Sequence, residues 1–145
     1  MQHILFLCAG NRCQSVMAEA YVNHVFAGRW RAYSAGKPPI SDPHPLAVQT
    51  LMDAGVLFGL PQSQSWFEFD GPGAPHLDFV ISLSVSLLSV SKVEQDRPIW
   101  QGHPQILHWP FPDPAHFSGS EEDQRDHFRS VFVMIKERID QFISP

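Results

Sequence analysis

The chain has 145 residues, enough for one domain with a sizeable core, and its 43% apolar content is ordinary for a globular protein. A net charge of −5 argues against nucleic acid as the main partner, so an anionic ligand would have to be held by local amides. No apolar run approaches a membrane span, Met1-Gln2-His3 carries no basic leader, and Cys8 and Cys13 form neither a disulfide framework nor a CxxC zinc pattern.

A reducing cytoplasmic setting is therefore expected. Ile4-Leu5-Phe6-Leu7 reads as a buried strand. Ala18, Tyr21, Val22 and Val25 repeat at helical spacing and predict an amphipathic helix ending near Ala27-Gly28. Trp30 to Ser34 reads as a second strand, and Ala35 to Pro39 as a turn. Asp42-Pro43-His44-Pro45 is a helix entry. Val48, Leu51 and Met52 supply that helix's apolar face, and Gly55 ends it. Asp70 to Pro75 is a loop too short to be a domain linker. Phe79-Val80-Ile81 is a third strand. Ser82 to Ser89 suits a strand by alternation and a helix by length. Glu94 to His103 reads as connection, and Ile106 to Trp109 as a fourth strand. Pro110 to Ala115 is a rigid turn. Ser118-Gly119-Ser120-Glu121 offers a capping box. Phe128, Phe132, Ile135, Ile139 and Phe142 then define a long C-terminal helix.

This alternation predicts an α/β fold of three layers, with a four-stranded parallel sheet and helices on both faces. Sites in such folds lie at the carboxyl ends of the strands. Cys8 leaves the first strand at that edge and Asp113 leaves the last, so topology should bring them together. Cys8 also precedes a short loop that runs into a helix N-terminus. Amides and the helix dipole converge there on negative charge, and Gly10 and Asn11 can take left-handed conformations. That setting favours a thiolate nucleophile. A buried structural cysteine at a strand–turn–helix junction is the alternative. The eight histidines follow no ligand spacing, so no metal is expected.

The segment Cys8-Ala9-Gly10-Asn11-Arg12-Cys13-Gln14-Ser15 resembles the phosphate-binding loop of the low-molecular-weight protein tyrosine phosphatases and of the arsenate reductases that share their fold. That loop is a cysteine, five residues, an arginine and a serine. Met17-Ala18-Glu19-Ala20, Ser34-Ala35-Gly36, His44 to Val48 and Ser63-Gln64-Ser65-Trp66 resemble successive landmarks of the arsenate reductase branch. Trp109 to Ala115 resembles that branch's acid loop.

The resemblance implies one domain over 1–145 with a Cys8 nucleophile and Asp113 as general acid. It implies an oxyanion cradle of Ala9, Gly10, Asn11, Arg12, Cys13, Gln14 and Ser15. Asn11 and Ser15 would hold the loop, and Ser15 equally suits a plain helix N-cap. Asp113 equally suits a turn former. The family arginine falls on Gln14, which offers one neutral amide. Losing such a donor costs about 3–4 kcal/mol, or ~10²–10³ in rate. Arg12 either compensates from the loop rim or is a solvated surface residue. The further cysteines of thioredoxin-coupled arsenate reductases are absent: Ser82, Ser84 and Ser86 stand in that region.

An arsenate reductase-like enzyme is expected, with no bound cofactor and an external thiol, such as glutathione or mycothiol, as reductant. Cys13 is the one internal redox partner for Cys8. The partners would be a small oxyanion, phosphate or arsenate, or a phosphorylated substrate. Neither nucleic acid nor membrane is expected, and the chain would be a monomer or weak dimer. A degenerate oxyanion-binding or regulatory module and a weak tyrosine phosphatase are the alternatives.

Overall fold

A computed structural model describes residues 1–56, 61–84 and 97–143. The strands are β1 (Gln2–Ala9), β2 (Trp30–Lys37), β3 (Phe79–Ser82) and β4 (Gln105–His108), and the helices are α1 (Gln14–Val25), α2 (Pro45–Asp53) and α3 (Glu121–Ile143). All strand pairs are parallel, in the order β2-β1-β3-β4. The expected four-stranded parallel α/β sheet is therefore present.

β1 is central because it can be buried on both faces. Ile4 through Cys8 are wholly inaccessible to solvent, as a continuous apolar run in a parallel sheet should be. Ile4 and Phe6 point into a core with Met17, Val22, Phe128 and Ile135 of α1 and α3. Leu5 and Leu7 point the other way, onto Ala35, Trp66, Phe69 and Leu77. Because β1 has β2 on one side and β3 on the other, the chain reverses its winding at the carboxyl end of β1, where parallel sheets open a crevice.

Several boundaries differ from those expected. β2 continues through Ala35-Gly36-Lys37, because Cys8 and Ala9 pair with Gly36 and Lys37 while Gly36 bridges to Ser65 on its other side. The α1 stripe ends at Val22, and Val25, the last residue of the helix, is 47% exposed. In α2 the buried residues are Ala47, Thr50 and Leu51; Met52 faces outward, so the apolar face is rotated from that expected. His44 caps α2, accepting from Leu46 N at 3.1 Å, with Pro45 as the first helical residue, as anticipated. The cap of α3 comes from Ser120, whose Oγ accepts from Asp123 N at 3.0 Å, not from Ser118. β4 begins and ends one residue earlier than expected. The ambiguous Ser82–Ser89 segment divides: Ser82 closes β3, and 85–89 lie outside the described residues, as do 94–96 of the expected connection.

Candidate active site

The loop from Ala9 to Cys13 crosses from β1 to α1 at the crevice. Gly10 and Asn11 both have positive φ, +67° and +54°, so both take the left-handed conformation expected of them. The loop carbonyls are turned away from its centre. Gly10 O accepts from Ser41 N and Arg12 O from His44 N, at 3.3 and 3.0 Å. Asn11 O accepts from Ser63 Oγ at 2.6 Å. A loop whose carbonyls are bonded outward leaves its N–H groups for an anion, as in other amide nests.

Cys8 lies beneath this loop and is wholly buried. Its Sγ is 2.8 Å from Ser15 Oγ and accepts from Ser15 N at 3.5 Å. The hydrogens around the sulfur follow from one fixed donor. Gln64 N–H donates to Asn11 Oδ1 at 2.8 Å, which sets the orientation of the Asn11 amide. Asn11 Nδ2 must then donate to Ser15 Oγ, at 2.7 Å. With that hydrogen accepted, the Ser15 hydroxyl still has its own to give, and a thiolate at Cys8 Sγ, 2.8 Å away, would accept it. An anionic sulfur is the acceptor this chain of donors suits. Ser15 thus holds the loop rather than capping α1, whose N-cap is Cys13, with no side-chain cap.

Cys13 is a free, buried thiol packed into the larger core. Burial pushes its ionisation far above the ordinary thiol range, and Asp113 and Cys8 push it further. Arg12 lies at the loop mouth, its Nε donating to Asp42 O at 3.2 Å. It is neither wholly solvated nor directed into the core. Burial, then the Arg12 charge, lower the His44 imidazole below its usual range, while Asp113 acts the other way.

Asp113 reaches the same place from the opposite end of the sheet. A cavity of about 390 Å³ is lined by the loop residues Ala9, Gly10, Arg12, Cys13 and Gln14, by Lys37, Pro38 and Pro39, and by Asp113, Ala115 and His116. Asp113 Oδ1 accepts from Ala115 N at 2.9 Å, capping a single 3₁₀ turn over Pro114–His116. Its Oδ2 lies 3.5 Å from His116 Nε2. The turn-former role uses Oδ1, while Oδ2 faces His116, and both residues line the cavity. A separate groove of about 240 Å³ between α2 and α3, lined by Leu46, Arg125 and Phe132 among others, shares no residue with this cavity.

Comparison with known proteins agrees with this arrangement. The low molecular weight phosphotyrosine protein phosphatase family matches residues 3–144. The chain belongs to this family. It is 33% identical to an arsenate reductase of Bacillus licheniformis over 96% of this chain and 93% of that one. Identity to the Bacillus subtilis arsenate reductase is 30%, with the same coverage. A solved arsenate reductase in a phosphate-binding state superposes with a TM-score of 0.74 at 27% identity, covering 99% of this chain and 98% of that one. A Vibrio cholerae low molecular weight phosphotyrosine phosphatase shares the fold, with a TM-score of 0.70 at 20% identity, over 99% of this chain and 98% of that one.

Gln14 stands where the loop resemblance implies an arginine. Its side chain is buried, and Nε2 donates to Phe111 O at 3.4 Å and Pro112 O at 3.3 Å. It therefore faces the segment before Asp113. Ser84, in the region where sulfur is absent, has its Oγ accepting from Ala9 N at 3.0 Å; Val85 and Ser86 lie outside the described residues.

Four contributors are not evident from the sequence. Ser63 and Gln64 hold Asn11, although the sequence marks them only as family landmarks. Gly36 must lack a side chain, since a Cβ there would come within 2.4 Å of Asn11 N and 2.9 Å of Cys8 O. Lys37 brings a second cation to the cavity wall. Its signal lies in the strand register: Lys37 pairs with Ala9, the first residue of the cradle.

Proposed function

We propose that the chain is an arsenate reductase-like enzyme in which Cys8 is the nucleophile and Asp113 the proton donor. The observation that carries the reading is the hydrogen-bond sequence Gln64–Asn11–Ser15–Cys8, which holds the Ser15 hydroxyl against the sulfur beneath an outward-bonded loop. A structural cysteine has no need of it. The cradle is Ala9 to Ser15, with Arg12 and Lys37 supplying positive charge that Gln14 does not.

In the reduction, the Cys8 thiolate attacks arsenic(V) and an As–O bond breaks. Asp113 protonates that departing oxygen, which leaves as water. A small external thiol then attacks Cys8 sulfur. The S–As bond breaks, its electron pair goes to arsenic, and arsenic(III) leaves as arsenite. A second thiol releases the resulting mixed disulfide, so two thiols are oxidised to one disulfide and Cys8 is restored. The external thiol is required because no distal cysteine exists in the chain, and Ser84 cannot form a disulfide. Cys13 is the internal fallback partner if Cys8 is oxidised without a reductant.

The same site would attack phosphorus in an aryl phosphate, with Asp113 protonating the leaving oxygen. The neutral Gln14 favours a second reading, a cradle that binds oxyanions without turnover. Among the described residues no helix is long and apolar enough to cross a membrane, and a cytoplasmic monomer or weak dimer remains our reading.

One experiment separates these. Arsenate-dependent oxidation of glutathione or mycothiol and hydrolysis of para-nitrophenyl phosphate are measured for the parent protein and Cys8→Ser. Turnover abolished by Cys8→Ser supports the enzyme. Phosphate binding without turnover in either assay supports the binding module.

A further inference from the structure

The segment that carries Asp113 has few backbone donors with which to hold itself in place. Pro110, Pro112 and Pro114 have no N–H to donate. Of its neighbours, Trp109 N donates to Ser82 O at 2.8 Å and Phe111 N to Leu83 O at 3.0 Å, which fixes the segment beside β3 only up to Phe111. Beyond that point Asp113 is closed into a local turn by Ala115 N and His116 N, and the Phe111 and Pro112 carbonyls are held from a distant part of the chain. Gln14 Nε2 donates to both the Phe111 and Pro112 carbonyls, the last two before Asp113. Only 2% of Gln14 is exposed, so water does not replace these bonds easily.

From this we infer that Gln14 is a positioning residue for the acid segment, clamping Phe111 and Pro112 so that Asp113 stands over the cavity before any anion arrives. The inference rests on the reading of Asp113 as the proton donor, but the clamp itself is testable without it. A charged side chain at this position would be drawn to a bound anion. A neutral amide with two hydrogens suits two carbonyls whether or not an anion is present. The clamp also links the two ends of the chemistry, because Gln14 is both a cradle residue and the first residue of α1.

The test uses Gln14→Met, which keeps the length of the side chain and removes its donors, and Gln14→Ala as a second variant. Amide exchange is followed by mass spectrometry in anion-free protein. Peptides covering 109–117 should exchange at least about ten-fold faster in the variants, while peptides from β1 and α3 keep their protection, showing that the fold survives. Hydrolysis of phenyl phosphate, a poor leaving group, is then compared with that of para-nitrophenyl phosphate, a good one. The ratio should fall about ten-fold or more, part of the ~10²–10⁴ a placed general acid contributes. In an Asp113→Asn background Gln14→Met should leave the ratio where Asp113→Asn alone puts it. A merely structural role for Gln14 would not move this ratio. Unchanged exchange over 109–117 in both variants overturns the clamp. Unchanged leaving-group ratio despite faster exchange overturns the positioning role. Faster exchange in a protein without turnover establishes the clamp and faults the enzyme reading instead.

Discussion

The backbone N–H of Gln64 donates to the side-chain oxygen of Asn11 at 2.8 Å, and this single bond turns the Asn11 amide so that its Nδ2 donates to Ser15, the hydroxyl beside Cys8. A backbone amide can only donate, so Asn11 Oδ1 can only accept, and Ser15 is left to serve the sulfur. The nucleophilic role proposed for Cys8 depends on the order of these donors more than on any one distance.

Asn11→Asp tests that order. Aspartate tolerates the left-handed backbone of Asn11, at φ +54°, so the loop should keep its path. The new carboxylate has no hydrogen for Ser15, whose hydroxyl then turns toward it and away from Cys8. Aryl phosphate turnover should drop by about ten- to a hundred-fold, the value of a hydrogen bond to a charged group. The melting temperature should move much less than the rate.

Gly36→Ala should destabilise the fold by roughly 2–4 kcal/mol, because the new methyl meets backbone atoms of the loop that cannot swing aside. Denaturant unfolding of the variant measures it. Gly28→Ala is the control, since a Cβ there meets nothing within 4 Å. Its remaining cost is that of a positive φ, about 1 kcal/mol.

Glu19 offers a pH signature. Burial raises its carboxyl from 4.5 to about 7, with the Ser34 hydrogen bond and Arg31 opposing. A carboxyl raised by folding contributes fully below its unfolded value, and that contribution is lost as pH rises through the folded one. Glu19→Gln should therefore gain stability relative to the parent between pH 4.5 and about 7, then hold that gain. The total is on the order of 3 kcal/mol. Thermal melts of both proteins across this range check the sign: a variant-minus-parent difference that grows on acidification would contradict it.

Asp113→Asn should slow phenyl phosphate hydrolysis about ten-fold or more beyond its effect on para-nitrophenyl phosphate, since only the poor leaving group needs a proton. Steady-state rates on the two esters suffice. Equal slowing of both would make Asp113 a capping residue for Ala115 alone.

The sheet is legible in the sequence because each strand carries its own signal. Ile4 to Leu7 is apolar throughout, as a strand covered on both sides must be, and the Cys8 and Asp113 ends converge by topology alone. What is not legible is set by contacts between distant segments. The end of β2 reads locally as a turn, Ala35-Gly36-Lys37-Pro38-Pro39, and becomes strand because β1 and Ser65 pair with it on either side. The α2 face is misread because Thr50 is buried with its hydroxyl bonded to Leu46 O at 2.7 Å, which hydropathy does not reveal. In the site, Cys8, Asn11 and Asp113 are visible as residue types in a pattern. The roles of Gln64 and Gln14 are not. Each depends on a pairing between residues tens of positions apart.

The most direct test of Cys8 as the nucleophile is its alkylation beside Cys13. Iodoacetamide labelling of the native protein is followed by peptide mass spectrometry from pH 5 to 9, with and without inorganic phosphate. Cys13, buried and held protonated, should label slowly throughout. Cys8 should label faster, and phosphate should protect it by occupying the cradle above the sulfur. Equal labelling of the two thiols, unaffected by phosphate, would contradict a nucleophilic Cys8.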